Sequence, residues 1–536
     1  MKIVVTSHID INRGRLDGWW LISVTAAALP LSALFGLVWL AAEPDAAVWG
    51  HLWSYVLPQQ LTTTFWLMLG VGTLSALIGT ASAWMVTFYP IKLRRFIGWA
   101  LLLPLAMPTY LMAYSYGDFL DEAGRVYGFW QTVLPNAAYP DFRSLPGAII
   151  LLSLALYPYV YISARTAFVQ QSAVMIEAGR SLGLSPVTCF RRLGLPLARP
   201  AIIVGVALLL MECMNDIGAV EFLGVNTLTL GVYDTWVVRG NLAGAAQLAL
   251  TLLALMAFLL VLERYQRGKG EHYQRAGRQR SLPDFNATPG LIWLMSTLCL
   301  LPIILGFILP VLLLVVHLPA ASWPSGMTQA VINSVGLAVA AALCAAALGL
   351  ALAFTLRYGR STQIFVARLA ALGYAVPGSV LALGIMMALA FVAEASFGLI
   401  VLSGSAAALV IAYVVRFLSL SFGTLEAGFE QIAPGLDMAA RSLGADKNAT
   451  LRRIHLPLLR APLVTALLLV FVDVMKELPA TLILRPFDFE TLATQIYTYA
   501  SLGQIEDAAL PALIILTIGL VPVIFGIRVM ERLRWR

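Results

Sequence analysis

Apolar runs long enough to cross a bilayer recur along the chain near residues 19–42, 61–89, 96–117, 146–167, 199–222, 243–262, 289–316, 328–356, 364–392, 400–422, 460–484 and 507–529. Each supplies about 20 residues, the length a helix needs to span the hydrocarbon core. The stretches between them are short and polar. This pattern predicts an all-α polytopic membrane protein of about twelve transmembrane helices, since a helix satisfies its own backbone where no water is available.

Two of the polar stretches match. Residues 177–196 read EAGRSLGLSPVTCFRRLGLP and residues 438–457 read MAARSLGADKNATLRRIHLP. They align without a gap at an offset of 261, with Gly183 over Gly444, Arg192 over Arg453 and Pro196 over Pro457. Each predicts a short polar helix, a turn at a glycine free to adopt a positive φ, and a second basic helix ending at Leu-Pro. Lying between apolar runs, each reads as a loop that docks on something soluble.

The repeat extends further: Gly79 falls over Gly349 and Pro108 over Pro377, at offsets of 270 and 269. Two homologous six-span halves follow, residues 1–262 and 289–536, in parallel orientation. Residues 263–288, with the basic cluster at 264–280, form a linker between them, and a lipid-headgroup patch is an equal reading of the same charges. Basic residues gather on alternate loops. On one side are Lys92, Arg94 and Arg95, both docking loops, the linker, Arg357, Arg360, Arg368, Arg528 and Arg532; on the other are little more than Arg125, Arg143, Arg239 and Arg485. That asymmetry places both termini and both docking loops on the cytoplasmic side. The start of the chain, with Lys2, Arg13 and Arg15 before its apolar run, reads as a first span and not a cleaved signal.

Composition supports the membrane reading and removes other classes. The chain has 536 residues, 60% of them hydrophobic and 12% charged, with net charge +7 and mean hydropathy +0.84. The dispersed basic clusters suit a lipid surface and not a nucleic acid. Cys189, Cys213, Cys299 and Cys344 have no metal-like spacing and read as core thiols, and His8, His51, His272, His317 and His455 are scattered. No metal centre is assigned and no cofactor is expected. A phosphate-binding loop is lacking, since Gly268-Lys269-Gly270 has neither the upstream glycine nor the hydroxyl residue.

The docking loops resemble the EAA loop of permease subunits in bacterial ATP-binding-cassette (ABC) importers. The stretches 214–249 and 472–514 resemble the corresponding parts of fused, twelve-span permeases of the ferric-iron type. The resemblance implies a type I importer permease in the bacterial inner membrane, not itself an enzyme, driven by two copies of a cytoplasmic ATPase and fed by a periplasmic substrate-binding protein. It assigns ATPase coupling to Glu177, Ala178, Gly183, Arg191, Arg192 and Pro196, and to Asp437, Ala439, Ala440, Gly444, Arg452, Arg453 and Pro457. The second loop departs from the pattern, with Met438 in place of the acid and Asp437 one position earlier. Ferric iron, free or complexed, is the implied cargo; thiamine, polyamines and phosphonates are carried by relatives with the same loop.

Charge inside the apolar runs marks a candidate pathway. Glu212 and Asp216 in the fifth span overlie Asp473 and Glu477 in the eleventh, at the same offset of 261. A spacing of four puts each pair on one helical face, with breaks expected just beyond, at Gly218 and Pro479. These four residues, with Glu221 and Lys476, are the candidate translocation residues, because ionised groups within spans face a cavity or a partner. The structural alternative has Lys476 neutralising Asp473 or a carboxylate of the other half. Arg416 is either a pathway charge or a snorkelling residue. Tyr110, Tyr114, Tyr116, Tyr157, Tyr159 and Tyr161 read mostly as interfacial belt residues. An ion-gradient-driven carrier using the same carboxylates is the competing class, and the repeated docking loops argue against it.

Overall fold

The computed structural model describes all residues except 1–17, 43–49, 123–124, 135, 171–172, 271–283, 320–322, 360, 371–372, 374–375, 400 and 535–536. Lys2, Arg13, Arg15, His8, His272, Arg360, Arg536 and much of the predicted linker therefore lie outside the described residues. Among those described, the chain is helical throughout, without a strand.

Nine helices are long and apolar enough to cross a membrane, and two bent pairs meet the same standard together, among the described residues. The final helix, Ile505–Arg534, covers the twelfth predicted run. Two expectations are corrected in detail. The third run, 96–117, is not one rod: Arg94–Ala106 and Thr109–Phe119 meet at 90°. The ninth, 364–392, is likewise divided between Ser361–Ala370 and Gly378–Ala395. Proline explains both. Pro108 and Pro377 stand immediately before the new helix, and a residue preceding proline is pushed out of the helical region, as Met107 is at φ −94°, ψ 120°.

Association in lipid needs close backbone approach, because apolar side chains gain little by leaving one apolar medium for another. Glycine supplies it at equivalent places in the two halves. A Cβ on Gly79 would lie 2.9 Å from the Tyr157 carbonyl, and one on Gly349 would lie 3.0 Å from the Phe422 amide. The second helix of each half thus packs directly on the fourth. The outward faces carry residues such as Phe35, Trp39 and Leu77, which suit contact with lipid.

The halves are interlocked. The first helix, Gly18–Ala41, crosses the ninth-span helix of the opposite half at Gly36 and Gly384; a Cβ on Gly384 would lie 2.2 Å from the Ala33 carbonyl. Reciprocally, the seventh-span helix, Pro289–His317, lies on the third span of the first half, where the Tyr116 hydroxyl donates to the Leu305 carbonyl at 2.5 Å. Tyr110, Tyr114, Tyr116, Tyr157 and Tyr161 are all buried, so the belt reading is corrected. Their hydroxyls are drawn inward by helix-helix contacts, as with Tyr161 donating to the Gly98 carbonyl at 2.8 Å. Cys189, Cys213 and Cys299 are buried, whereas Cys344 is exposed on its helix and is not the core thiol expected.

Candidate functional site

The docking loops are built alike. In the first, Ala173–Ser181 ends at Gly183 with φ +79°, and the Leu184 amide returns to the Gly179 carbonyl at 3.0 Å. In the second, Pro434–Ser442 ends at Gly444 with φ +80°, and the Ala445 amide returns to the Ala440 carbonyl at 3.0 Å. Both are left-handed helix C-caps that any other side chain would strain. Ser185 and Asp446, again 261 apart, then cap the next helix by accepting from the Thr188 and Ala449 amides. A π-helical turn follows in each, at Phe190–Gly194 and Leu451–His455. Leu182 and Leu443 crown the two turns, 82% and 88% exposed. Arg191, Arg192, Arg452 and Arg453 are exposed beside Pro196 and Pro457.

The loops differ in how they are anchored. In the second, Asp437 is buried. Its carboxylate accepts from Arg357 Nε at 2.8 Å and lies 2.7 Å from His455 Nε2. Arg357 also donates to the Phe429 and Ile432 carbonyls, tying the loop to the end of helix Met327–Tyr358. Burial acts to raise the Asp437 pKa, but hydrogen bonds from Tyr358, His455 and Arg357 outweigh it and hold the group below the usual carboxylate range. Exposed Met438 occupies the outward position instead.

The first loop has apolar residues at the matching positions. Ile176 stands in register with Asp437, and Gly194, in register with His455, receives the Trp84 ring against its backbone. Here the anchor comes from the end of the linker. Phe285 is buried among Trp84, Phe88 and Tyr89, and its amide donates to the Phe88 carbonyl at 2.8 Å. Asp284 takes Arg94 on its carboxylate and Arg180 on its carbonyl. Trp19, opening the first helix, does the same for the second loop, donating to Asn448 and packing on Phe354. None of these anchors was singled out from the sequence, because each joins residues with no local pattern in common.

The second helix of each loop leads to the intramembrane charges. In the first half, Pro186–Asn215 runs unbroken from docking loop to membrane interior; in the second, the corresponding helices bend by 74° at Leu459. Both stop at the charged positions. Asp216 is extended at φ −75°, ψ 126°, and the following helix is only Gly218–Phe222. Likewise Arg460–Met475 ends before Glu477, and Pro479–Leu484 follows. The breaks fall within each pair of acids and not beyond, so Glu212 and Asp216 do not share one continuous helical face, nor do Asp473 and Glu477. The second acid of each pair instead caps the next helix: Asp216 accepts from the Ala219 amide at 2.8 Å, and Glu477 accepts from the Ala480 and Thr481 amides. Carboxylates are favoured there because the first amides of a helix are unpaired and point at them.

One cavity between the halves brings the candidate residues together. Glu212, Asp216, Asp473, Lys476 and Glu477 line it, with Arg416. Arg416 is a buried member of this group, 2.9 Å from Glu477, and not a snorkelling residue. Lys476 pairs with Asp473 at 2.9 Å. The halves also meet directly here. Asn215 accepts from the Gly378 amide at 2.7 Å, and a Cβ on Gly218 would lie 2.8 Å from Leu478. Glu221 is elsewhere: it accepts from Tyr497 of the other half at 2.7 and 2.8 Å, outside the cavity. Among the described residues, no group of three or more His, Cys, Asp or Glu is arranged to hold a metal ion.

A duplicated bundle with a duplicated docking loop has a counterpart among known families. The model of the binding-protein-dependent transport system inner membrane component matches residues 75–268 and again residues 345–534. The chain belongs to this family. The permease is 26% identical over 472 residues to the Fe(3+)-transport system permease protein FbpB 2 of Haemophilus influenzae, covering 86% of this chain and 88% of that one. It is 23% identical over 487 residues to the probable ABC transporter permease protein y4fN of Sinorhizobium fredii, covering 84% and 83%. Over 248 residues it is 28% identical to the putative 2-aminoethylphosphonate transport system permease protein PhnV of Salmonella typhimurium, covering 43% of this chain and 91% of that one. Each match within the permease family fits a multi-pass transport subunit of an inner membrane.

Proposed function

We propose that this permease imports ferric iron, free or complexed, and that a separate ATPase seats on each docking loop while a substrate-binding protein delivers cargo at the opposite end. The loops and both termini then face the cytoplasm, as the distribution of Lys and Arg favours. The observation that carries this reading is the repeated loop, built twice with the same left-handed glycine turn and tipped by the exposed Leu182 and Leu443. An exposed apolar side chain held out on a turn gains by burial in a groove of a soluble partner.

The geometry supports a simple transmission. Pro186–Asn215 is a single rod of 30 residues, about 45 Å at the helical rise. One end carries the docking surface and the other ends at Asp216 in the cavity. Tilting the loop therefore moves the lining of the pathway without an intermediate joint. In the second half the 74° bend directs a like motion through Leu459. Closure of two ATPases would draw both loops together and switch the side from which the cavity is reached.

Support for iron comes from the relative named for Fe(3+) transport, which matches across most of the chain, and from hard oxygen donors in the cavity. A second reading, an aminoalkylphosphonate, draws on Arg416 and Lys476 beside the same acids and on the relatives named for 2-aminoethylphosphonate. Uptake of labelled ferric iron, 2-aminoethylphosphonate, thiamine and spermidine, in cells with and without the chain, separates them. Leu182→Asp with Leu443→Asp should abolish both uptake and co-purification of the ATPase. Uptake that survived ATP depletion while the proton gradient remained would overturn the ATP-driven reading.

A further inference from the structure

The inter-half cavity is electrically lopsided. On the second-half side both carboxylates carry a cation, Glu477 holding Arg416 at 2.9 Å and Asp473 holding Lys476 at 2.9 Å. On the first-half side, the donors that meet Asp216 among the described residues are neutral, the Thr109 hydroxyl and the Ala219 and Val220 amides. Glu212 forms no ion pair among the described residues, although Lys476 contributes a favourable field there. The sequence difference behind this is specific. Ala155 occupies the first-half position equivalent to Arg416, at the offset of 261, and lines the same cavity.

A second observation points to a ligand. Tyr110 lines the cavity, is 4% exposed, and its hydroxyl is buried without a hydrogen-bond partner among the described residues. It lies within electrostatic range of both Asp216 and Glu477. A buried hydroxyl left unpaired carries a desolvation cost, and such a group at a cavity wall is available to a passing ligand.

We propose that Glu212, Asp216 and the Tyr110 hydroxyl form a transient cation subsite on the first-half side of the cavity, which takes the hard positive centre of the cargo. This deepens the importer reading above and rests on it. Two carboxylates and a phenol oxygen are hard donors, matched to ferric iron and not to a soft metal. Three donors are too few to complete the coordination of such an ion, so the subsite binds weakly enough to release, as conduction requires. Arg416 and Lys476 keep the opposite carboxylates occupied. The cargo then meets one acidic wall and is not trapped between two.

The test is uptake of radiolabelled ferric iron by cells expressing the full chain with its ATPase and binding protein, alongside ATPase activity stimulated by the binding protein. Glu212→Gln and Asp216→Asn should each lower the uptake rate at least about tenfold, and Tyr110→Phe about threefold, with stimulated ATPase activity retained. Glu212→Asp, which keeps the charge, should stay within about threefold of the parent. The subsite is overturned if the three variants transport iron at the parental rate. It is equally overturned if Glu212→Asp falls as far as Glu212→Gln, because a site that depends on shape alone is structural. If the parent chain carries no iron and 2-aminoethylphosphonate uptake responds instead, the iron reading falls and the ferric subsite with it. If the parent carries iron and the variants are silent, the subsite alone falls.

Discussion

Asp216 and Glu477 stand 261 residues apart at equivalent helix breaks, each capping the short helix that follows, yet only Glu477 is bound to an arginine. Removing one member of a buried ion pair leaves the other charged and unsolvated, at a cost of about 3–5 kcal/mol. Glu477→Gln should therefore lower the thermal stability of the purified chain sharply. Joint Glu477→Gln with Arg416→Met should recover most of the loss, as measured by thermal unfolding in detergent. Asp216→Asn, which keeps a capping oxygen and strands no cation, should cost about 1 kcal/mol or less.

The crossing of Gly36 and Gly384 leaves no room for a side chain, since Cβ atoms there would come within 2.9 Å and 2.2 Å of the facing carbonyls. Gly384→Ile should push the first helix off the opposite half and cost about 1–3 kcal/mol or more. Loss of a crosslink between engineered cysteines at Ala33 and Met387, retained in the parent, would report it.

The second docking loop should be sensitive to acid. The folded pKa of Asp437 is depressed, so its contribution is fully present above the ordinary carboxylate value of about 3.9 and is lost as pH falls through the folded value. Limited proteolysis within residues 434–458 should accelerate as pH is lowered through that window. Asp437→Asn should show fast cleavage at every pH and no acid limb. The first loop, with Ile176 at that place, should lack this dependence.

Phe285 anchors the first loop alone. Phe285→Ala removes a ring buried among Trp84, Phe88 and Tyr89, a change of about 3–5 kcal/mol when such cavities do not collapse. Cleavage of residues 173–194 should rise while that of the second loop stays unchanged, and ATPase retention should fall by part and not entirely.

Much of this architecture was legible from sequence, and the reason is the strength of the bilayer constraint. Apolar runs must be helices there, so an all-helical chain with many spans followed from run length. The 261-residue register likewise located both docking turns, because only glycine takes the backbone angles of positions 183 and 444 without strain. The breaks at Asp216 and Glu477 were placed too late, since hydropathy continues across them and Gly218 and Pro479 mark where the new helices begin and not where the old ones end. The burial of Asp437 was not legible, because it depends on Arg357 and His455, which lie outside its local pattern. The tyrosines failed for a related cause: a phenol at a span end and one at a helix crossing look alike in sequence. Clustering of the intramembrane acids was foreseeable from their register, whereas the unequal pairing that Arg416 creates needed the packing of three helices.

The exchange of first helices sets a timetable for biosynthesis. Gly36 leaves the ribosome 348 positions ahead of Gly384, the residue it must meet. At roughly 5–20 residues per second, the wait is roughly 20 to 70 seconds. Throughout that interval the leading helix lacks the residue its glycine packs on, and the nascent first half stays unfinished until its sibling arrives.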